Sequence, residues 1–516
     1  MMDQLSFLRP FLLLFFITSL LSGCASLPAR PDIPYEAAFA PAESGLIAAL
    51  SDRFSAEHGP DRSGFHLLIE AREALESRLA LIDSATRSID VQYFLWNGDE
   101  VGQLLFDRLL QAADRGVRVR IIVDDIWLGS STRQLAALNA HPNLEIRVFN
   151  PNPSRDYLLW GALNYLASFR ELNRRMHNKL MIVDNHVLLA GGRNIGNEYF
   201  GIGEKFNFID LDVLAVGAVV GESSAAFDHY WNDEVVYPVS GWKVQLPAGT
   251  MAEVREVMSA YLEKDREKLA PFAIDRRDWQ TFIDAIAVSL IPGEAHFLQD
   301  NPVEIDGRDY RLVDMISYIA DPTKEELILV SPYLIPVDRS LTEIKQMNAD
   351  GARVRLLTNS LASTNHTFVN SHYGKYRLRI LQSGSELYEF RSRPDDNIRA
   401  LVDLGAEPAP FISLHTKAIV SDRRKCFIGS LNFDPRAIVI NSENGVLIES
   451  PELAADLAGF LEELMEPENA WQLSIDDENK IEWKSADRVL SAQPARGLLQ
   501  SFVDFFGRFL PIESQL

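Results

Sequence analysis

Two cysteines, Cys24 and Cys426, are all that 516 residues provide. That scarcity excludes a disulfide scaffold and a Cys-based zinc site. Positive charge is also short: 50 Lys and Arg stand against 73 Asp and Glu, a net charge of -23. A nucleic-acid binder carries a basic footprint, and the chain as a whole has none; a small basic pocket inside an acidic shell is compatible with the total. The same deficit removes any general attraction to anionic lipid, so membrane attachment has to come from another feature. The apolar run at residues 11–21, FLLLFFITSLL, has signal-peptide length and is too short to span a bilayer alone. What the chain has in quantity is core-forming material. Hydrophobic residues make up 47% and charged residues 24%, a globular profile rather than a disordered one. The length suits two domains of ordinary size.

The apolar run is followed by Leu21-Ser22-Gly23-Cys24-Ala25-Ser26, which resembles the bacterial lipobox. The resemblance implies acylation of Cys24, which becomes the first mature residue, and several acyl chains make a stable anchor. Ala25 is not the Asp that retains lipoproteins at the inner membrane. The expected location is therefore the bacterial cell envelope, lipid-anchored at the periplasmic face of the outer membrane. Residues 28–41 are Pro-rich and read as part of a tether over 25–64. Cys426 is then the one remaining thiol, most simply a small core residue.

The rest of the chain repeats itself. Ser88–Phe94 has strand alternation, a helical stretch covers Leu104–Ala113, and Gly116–Asp124 is again a strand. The second half offers Leu327–Val330 with Pro332-Tyr333, a helical stretch around Leu341–Met347, and a strand over Gly351–Leu357. The glycines fit as helix C-caps. Strand, helix, strand, twice over, predicts an α/β fold of two pseudo-symmetric lobes, each a mixed β-sheet flanked by helices. The lobes are expected at 65–240 and 311–470. Residues 1–24 form the leader, 241–310 a linker or cover, and 471–516 a tail. In that tail LLQSFVDFFGRFL, Leu498–Leu510, has the spacing of an amphipathic helix. Such a helix either docks on its own domain or inserts shallowly into a membrane.

The closest internal match is HNKLMIVDNHVLLAGGRN at 177–194 against HTKAIVSDRRKCFIGSLN at 415–432. In both, His is followed by Lys at +2, Asp at +7, Gly at +14 and Asn at +17, and the copies lie 238 residues apart. Duplication is the only economical source of that agreement. His and Lys at i and i+2 share one face of a strand. If the halves pack about a pseudo-two-fold axis, His177, Lys179, Asn194, His415, Lys417 and Asn432 converge on one cleft. The set supplies a nucleophile, a general acid and four donors for phosphate oxygens. Asp184 and Asp422 belong to the motifs but point to the opposite face or lie in the following turn, where they read as structural supports. Paired histidines also suit zinc, but the neighbouring Lys ammonium repels a metal and no His or Cys cluster completes a shell. The site therefore calls for no metal and no cofactor.

These motifs resemble the HxKxxxxD and GSxN signatures of the phospholipase D superfamily. RRMHNK and GGRNIGNEYFG within Asn173–Asn197, the stretch Leu361–Glu389, and SLHTKAIVSD through GSLNFDPRAIVINSENG resemble bacterial cardiolipin synthases of the C type. The resemblance implies two lobes sharing one active site and transfer of a phosphatidyl group through a phosphohistidine. The substrates would be phosphatidylglycerol and a second phospholipid. By position, His177 would be the nucleophile and His415 the general acid, later the base. Lys179, Lys417, Asn194 and Asn432 would hold the phosphoryl oxygens. A carboxylate stands behind each histidine in the family. Glu443 matches in the second half, and Asp210 in the first, ahead of Asp212.

The sequence departs from the family in places. Gly192-Arg193 stands where the pattern has Ser, the residue present as Ser430 in the second motif. A hydroxyl donor is lost there, with the Gly192 N–H as its substitute and Arg193 as an added charge toward substrate. Asn365 and Asn370 replace the Asp and His of closer relatives, which bears on the choice of acceptor. Arg436 either contacts lipid phosphate or forms a structural salt bridge. Hydrolytic phospholipase D activity would use the same residues with water as acceptor. A nuclease-like phosphodiesterase is disfavoured by the charge, and a catalytically silent envelope lipoprotein by the intact motifs.

Overall fold

The computed structural model describes residues 30–128, 132–152, 173–242, 244–275, 277–302, Leu312 and 323–516. Cys24 and the apolar leader lie outside the described residues. The first lobe contributes strands β1 (Ser63–Leu68), β2 (Ser88–Trp96), β3 (Arg118–Leu128), β4 (Leu144–Phe149), β5 (Lys179–Val183), β6 (Val187–Gly191), β7 (Asn207–Ile209), β8 (Asp212–Gly217) and β9 (Val236–Pro238). The second contributes β10 (Ile291–Gln299), β11 (Glu326–Val330), β12 (Arg353–Asn359), β13 (Glu386–Phe390), β14 (Ile412–Leu414), β15 (Ala418–Ser421), β16 (Lys425–Gly429), β17 (Asn444–Glu449) and β18 (Ala470–Ile475), followed by β19 (Ile481–Lys484) and β20 (Val489–Leu490).

The predicted repeat is the plan of the sheet. In the first lobe β4, β3 and β2 run parallel and are followed by antiparallel β5, β6, β8 and β1. In the second, β13, β12 and β11 are parallel and lead through β15, β16 and β17 to β10. The lobes join where β1 meets β10 antiparallel, Gly64 opposite Pro292, making one 18-stranded sheet with a pseudo-two-fold axis at that seam. Central parallel strands are buried on both faces, which is why Val119, Ile121, Ile122 and Val123 form an almost unbroken apolar run. Under the sheet one core crosses both lobes. Leu180, Ile182 and Leu188 pack in it with Val420, Cys426 and Ile428, beneath the equivalent helices Ala218–Asn232 and Pro451–Glu463. Burial pushes the Cys426 thiol up to about 12, so it is an inert core group. Gly116 and Gly351 have φ of 92° and 98° just beyond helices Glu100–Asp114 and Asp338–Ala349, the left-handed stop expected of them.

Three expected boundaries shift. The tether reading of 25–64 includes the helix Leu46–His58, whose Ile47, Leu50 and Phe54 are buried in the first lobe's core. The linker reading of 241–310 includes β10, a central strand whose Pro292, Gly293 and Glu294 hide the alternation that marks a strand. The second lobe thus begins by residue 291. The tail likewise contains β19 and β20, which extend the sheet from β18.

Asp184 and Asp422 show how the motif strands are seated. Each begins a tight turn with two successive left-handed residues, Asp184-Asn185 at φ 53° and 54° and Asp422-Arg423 at 51° and 50°. The Asp184 carboxylate accepts the N–H groups of Thr86, Arg87 and Ser88 at 2.7–3.0 Å, and Asp422 those of Lys324, Glu325 and Glu326 at 2.9–3.0 Å. Each aspartate therefore fixes the entry of β2 or β11 beside the motif strand. We expect Asp184→Ala to lose about 2–4 kcal/mol of stability, because it removes the acceptor of three backbone donors at once, that of Ser88 buried. The shift in denaturant midpoint measures this; an unchanged midpoint contradicts it.

Candidate active site

The two His-x-Lys segments enter the centre of the molecule from opposite halves, and each is stitched to the other half by its backbone. His177 N–H donates to Ser442 O and His415 N–H to Ile209 O, both at 2.8 Å. Next to the latter bond, β14 pairs parallel with β7, Leu414 opposite Ile209. This crossing delivers the carboxylates. His177 Nδ1 lies 2.7 Å from Glu443 Oε2, and His415 Nδ1 lies 2.6 Å from Asp210 Oδ2. Each histidine is thus oriented by a carboxylate from the opposite half, while Nε2 of both rings has no hydrogen-bond partner among the described residues. Asp212, the second choice for this role, instead holds Arg78 at 2.9 Å.

Lys179 Nζ donates to His177 O at 2.6 Å, and Lys417 Nζ lies 2.9 Å from His415 Nδ1. All four side chains are buried. Burial, followed by the two lysine charges, holds both imidazoles well below the ordinary histidine range. Burial also lowers Lys179 to about 7, against the pull of Glu443, and Lys417 to about 8, against that of Asp210. Glu443 is raised by burial and moderated by Lys179; Asp210 is raised by burial and moderated by Lys417. Burial of this kind disfavours every charge the site contains. An anion among these groups would restore the balance by favouring the protonated lysines and one protonated imidazole.

The remaining expected residues divide. Asn432 is buried with Oδ1 unpartnered, whereas Asn194 is engaged by Leu95 N–H and donates to the Tyr199 hydroxyl at 2.9 Å. Ser430 donates its hydroxyl to Glu443 Oε2, so it positions that carboxylate. Arg193 does not face a substrate. Its buried guanidinium is used up by Leu68 O, Ile69 O, Tyr199 O and Asp212, because the backbone carbonyls ending β1 need donors there. Arg436 binds Asn173 at 2.7 and 3.0 Å and Gln515 O at 3.2 Å, tying the two lobes and the C-terminus together near His177. Asn365 accepts from the Tyr333 hydroxyl at 3.0 Å, and Asn370 is buried in the helix Thr367–Tyr373.

Sequence reasoning passed over the aromatic walls. Phe94 meets the His177 ring edge-on at 4.9 Å, while Tyr199 and Phe208 lie 5.2 and 4.6 Å from His415. A single aromatic in a core-patterned strand carries no signal of its own. Tyr199, inside the GNEYFG stretch that follows the first motif, was the one with a positional clue.

The comparisons agree with the two-lobed fold. The family profile described as "Cardiolipin synthase, PLD-like domain" matches residues 79–231 and 315–465, one segment in each half. Cardiolipin synthase C of Escherichia coli (strain K12) is 33% identical over 465 residues, covering 88% of this chain and 96% of that protein. Cardiolipin synthase 1 of Bacillus cereus is 23% identical over 407 residues, 78% of this chain and 67% of that one. The crystal structure of phosphatidylserine synthase from Haemophilus influenzae Rd KW20 shares the fold, with a TM-score of 0.56 over 90% of this chain and 99% of that one, at 17% identity. The chain belongs to the cardiolipin synthase family of the phospholipase D superfamily, a family of phosphatidyltransferases.

Proposed function

We propose that the protein transfers a phosphatidyl group between phosphatidylglycerol and a second phospholipid, forming cardiolipin through a phosphohistidine on His177. The observation that carries this is the pair of histidines, each with Nδ1 on a buried carboxylate and Nε2 left for the cleft, beside two lysines. His177 Nε2 attacks phosphorus as the P–O bond to the donor's headgroup alcohol breaks, and His415 gives its Nε2 proton to that oxygen. Glu443 stabilises the cationic phosphoimidazole. Lys179, Lys417 and Asn432 hold the non-bridging oxygens. In the second half-reaction His415 takes the acceptor hydroxyl's proton, the new P–O bond forms and the P–N bond breaks. The same reading keeps the protein on the bacterial envelope through acylated Cys24. Mass spectrometry of lipids after incubation with phosphatidylglycerol, with and without phosphatidylethanolamine, tests the proposal: cardiolipin supports it, and phosphatidic acid alone contradicts it.

The lysines give the mechanism a pH signature. Deprotonating them removes the positive charge that binds the phosphodiester, so kcat/KM should fall as pH rises through about 7–8, well below the ordinary lysine value of 10.5. On the acid side, a nucleophile held below the usual histidine range stays neutral, so the acid limb lies below pH 6.5. Because bound phosphate raises the lysines again, kcat should keep its plateau to higher pH than kcat/KM does. Coincident alkaline limbs, or a kcat/KM plateau to pH 10, contradict the assignment.

A further inference from the structure

The C-terminal helix Leu498–Gly507 is mounted inside out. Leu498, Leu499, Phe502, Phe505, Phe506 and Phe509 fall within about 120° of arc at helical spacing, and all are exposed, from 53% for Phe506 to 91% for Leu498. The opposite face docks on the protein. Asp504 is fully buried and accepts from Gln493 and Arg508, and Gly507 lies so close to the helix Thr367–Tyr373 that a Cβ would sit 2.6 Å from Ser371 Oγ. A helix stabilised by its own domain buries its aromatics and shows its polar side to water. This one buries Asp504 and presents four phenylalanines. Phe368, 46% exposed and against Gly507, extends the same apolar surface.

The patch adjoins a basic hollow. Arg391, Arg393, Arg488 and Arg496 line a cavity of about 720 Å³ with no carboxylate among its lining residues. Asp487 neutralises part of this charge through Arg391 and Arg488. Arg496 binds the carbonyls of Ala362 and Thr364 and stacks 3.9 Å over the Phe411 ring, with no carboxylate paired to it among the described residues. In a chain of net charge -23, four arginines around one hollow, with Arg496 two residues before the apolar helix, are a local reversal of sign. Exposed aromatics beside uncompensated arginines complement a surface that is apolar within and anionic at its rim.

We propose that this face docks on a phospholipid bilayer, the apolar side of the helix inserting among acyl chains while Arg393 and Arg496 take anionic headgroup phosphates. This deepens, and rests on, the phosphatidyl-transfer reading. At 10 residues the helix is too short to span a bilayer, so it lies in the interface. It is also wired to the cleft. Gln500 holds Leu361 O at 2.6 Å, Arg496 holds Thr364 O at 3.0 Å, and that loop continues to Asn365, the partner of Tyr333. Docking here sets the membrane against the segment that carries Asn365 and, through it, Tyr333.

The test uses the mature chain, residues 24–516, with Cys24→Ala in every sample, so that neither the apolar leader nor an acyl anchor contributes. Flotation should show binding to vesicles of mixed phosphatidylglycerol and phosphatidylcholine. Phe505→Glu/Phe509→Glu should weaken it at least tenfold, and Arg393→Glu should weaken it for the anionic vesicles but not for phosphatidylcholine alone. Turnover of vesicle phosphatidylglycerol should fall in parallel, while hydrolysis of a water-soluble nitrophenyl phosphodiester stays unchanged and confirms folding. Undiminished flotation by Phe505→Glu/Phe509→Glu overturns the proposal. So does a dimer of the parent chain in sedimentation that this variant splits, since a second copy would then cover the face. Flotation as expected, with no lipid product from any sample, overturns the transfer reading and leaves the docking surface standing.

Discussion

The His415→Ala protein is expected to accumulate a phosphoryl adduct on His177 when given a phosphodiester with an activated leaving group. Its nucleophile is intact, since His177 keeps Glu443 on Nδ1 at 2.7 Å and the lysines on either side. A nitrophenolate departs with little need of a proton, so the missing acid hardly matters in the first half-reaction. The second half-reaction needs a base for the acceptor hydroxyl, and none remains. The intermediate therefore forms and stalls. In His177→Ala no nucleophile exists, and no adduct should form with any substrate. With natural lipid both variants should turn over at least ~10²-fold more slowly, the usual scale for losing an acid–base group. The adduct is read by mass spectrometry as an acid-labile, base-stable mass on His177. Mapping to His415 would exchange the two roles; absence from both variants with turnover preserved would remove the covalent mechanism.

The site's residues were legible in the sequence because duplication printed the motif twice. Spacing from His to Asn is local, and local spacing survives translation into structure: the repeated strands and the two-lobed plan stand where the repeat put them, although the second lobe opens earlier, with β10. What the sequence did not carry was non-local. Glu443 and Asp210 were identifiable as carboxylates behind histidines, but each serves the histidine of the other half. That pairing depends on the crossing at Ile209–His415 and Ser442–His177, across separations above 200 residues. Arg193 looked like a phosphate ligand because of its place in the motif; only the packing reveals carbonyls from β1 waiting for its donors. The tail's amphipathic period was plain, yet a period does not say which face turns inward. That was decided by Asp504 and Gly507 against the helix Thr367–Tyr373.

The departure at Gly192 leads to the other large effect. A Cβ added there would lie 2.1 Å from Asp210 Oδ1 and 2.9 Å from its Cγ. The carboxylate cannot retreat without giving up its 2.6 Å contact with His415 Nδ1 and the 2.8 Å bond it accepts from Leu211 N–H. At the equivalent place in the second half, Ser430 stands and its hydroxyl donates to Glu443. Glycine with the shorter aspartate and serine with the longer glutamate are therefore two matched solutions to one problem, the support of a buried imidazole. Restoring the family's serine alone, Gly192→Ser, should displace Asp210 and release His415 from its orientation. We expect kcat to fall at least ~10²-fold, comparable with Asp210→Ala, since both remove the group that fixes the ring and stabilises its proton. The double variant Gly192→Ser/Asp210→Glu reproduces the pair found in the second half and should recover to within about tenfold of the parent. The two changes are thus strongly non-additive, as expected of groups in contact. Kinetics on all three variants decide the matter: a Gly192→Ser enzyme with parental kcat, or a double variant no better than the single, would show that the two positions are not coupled.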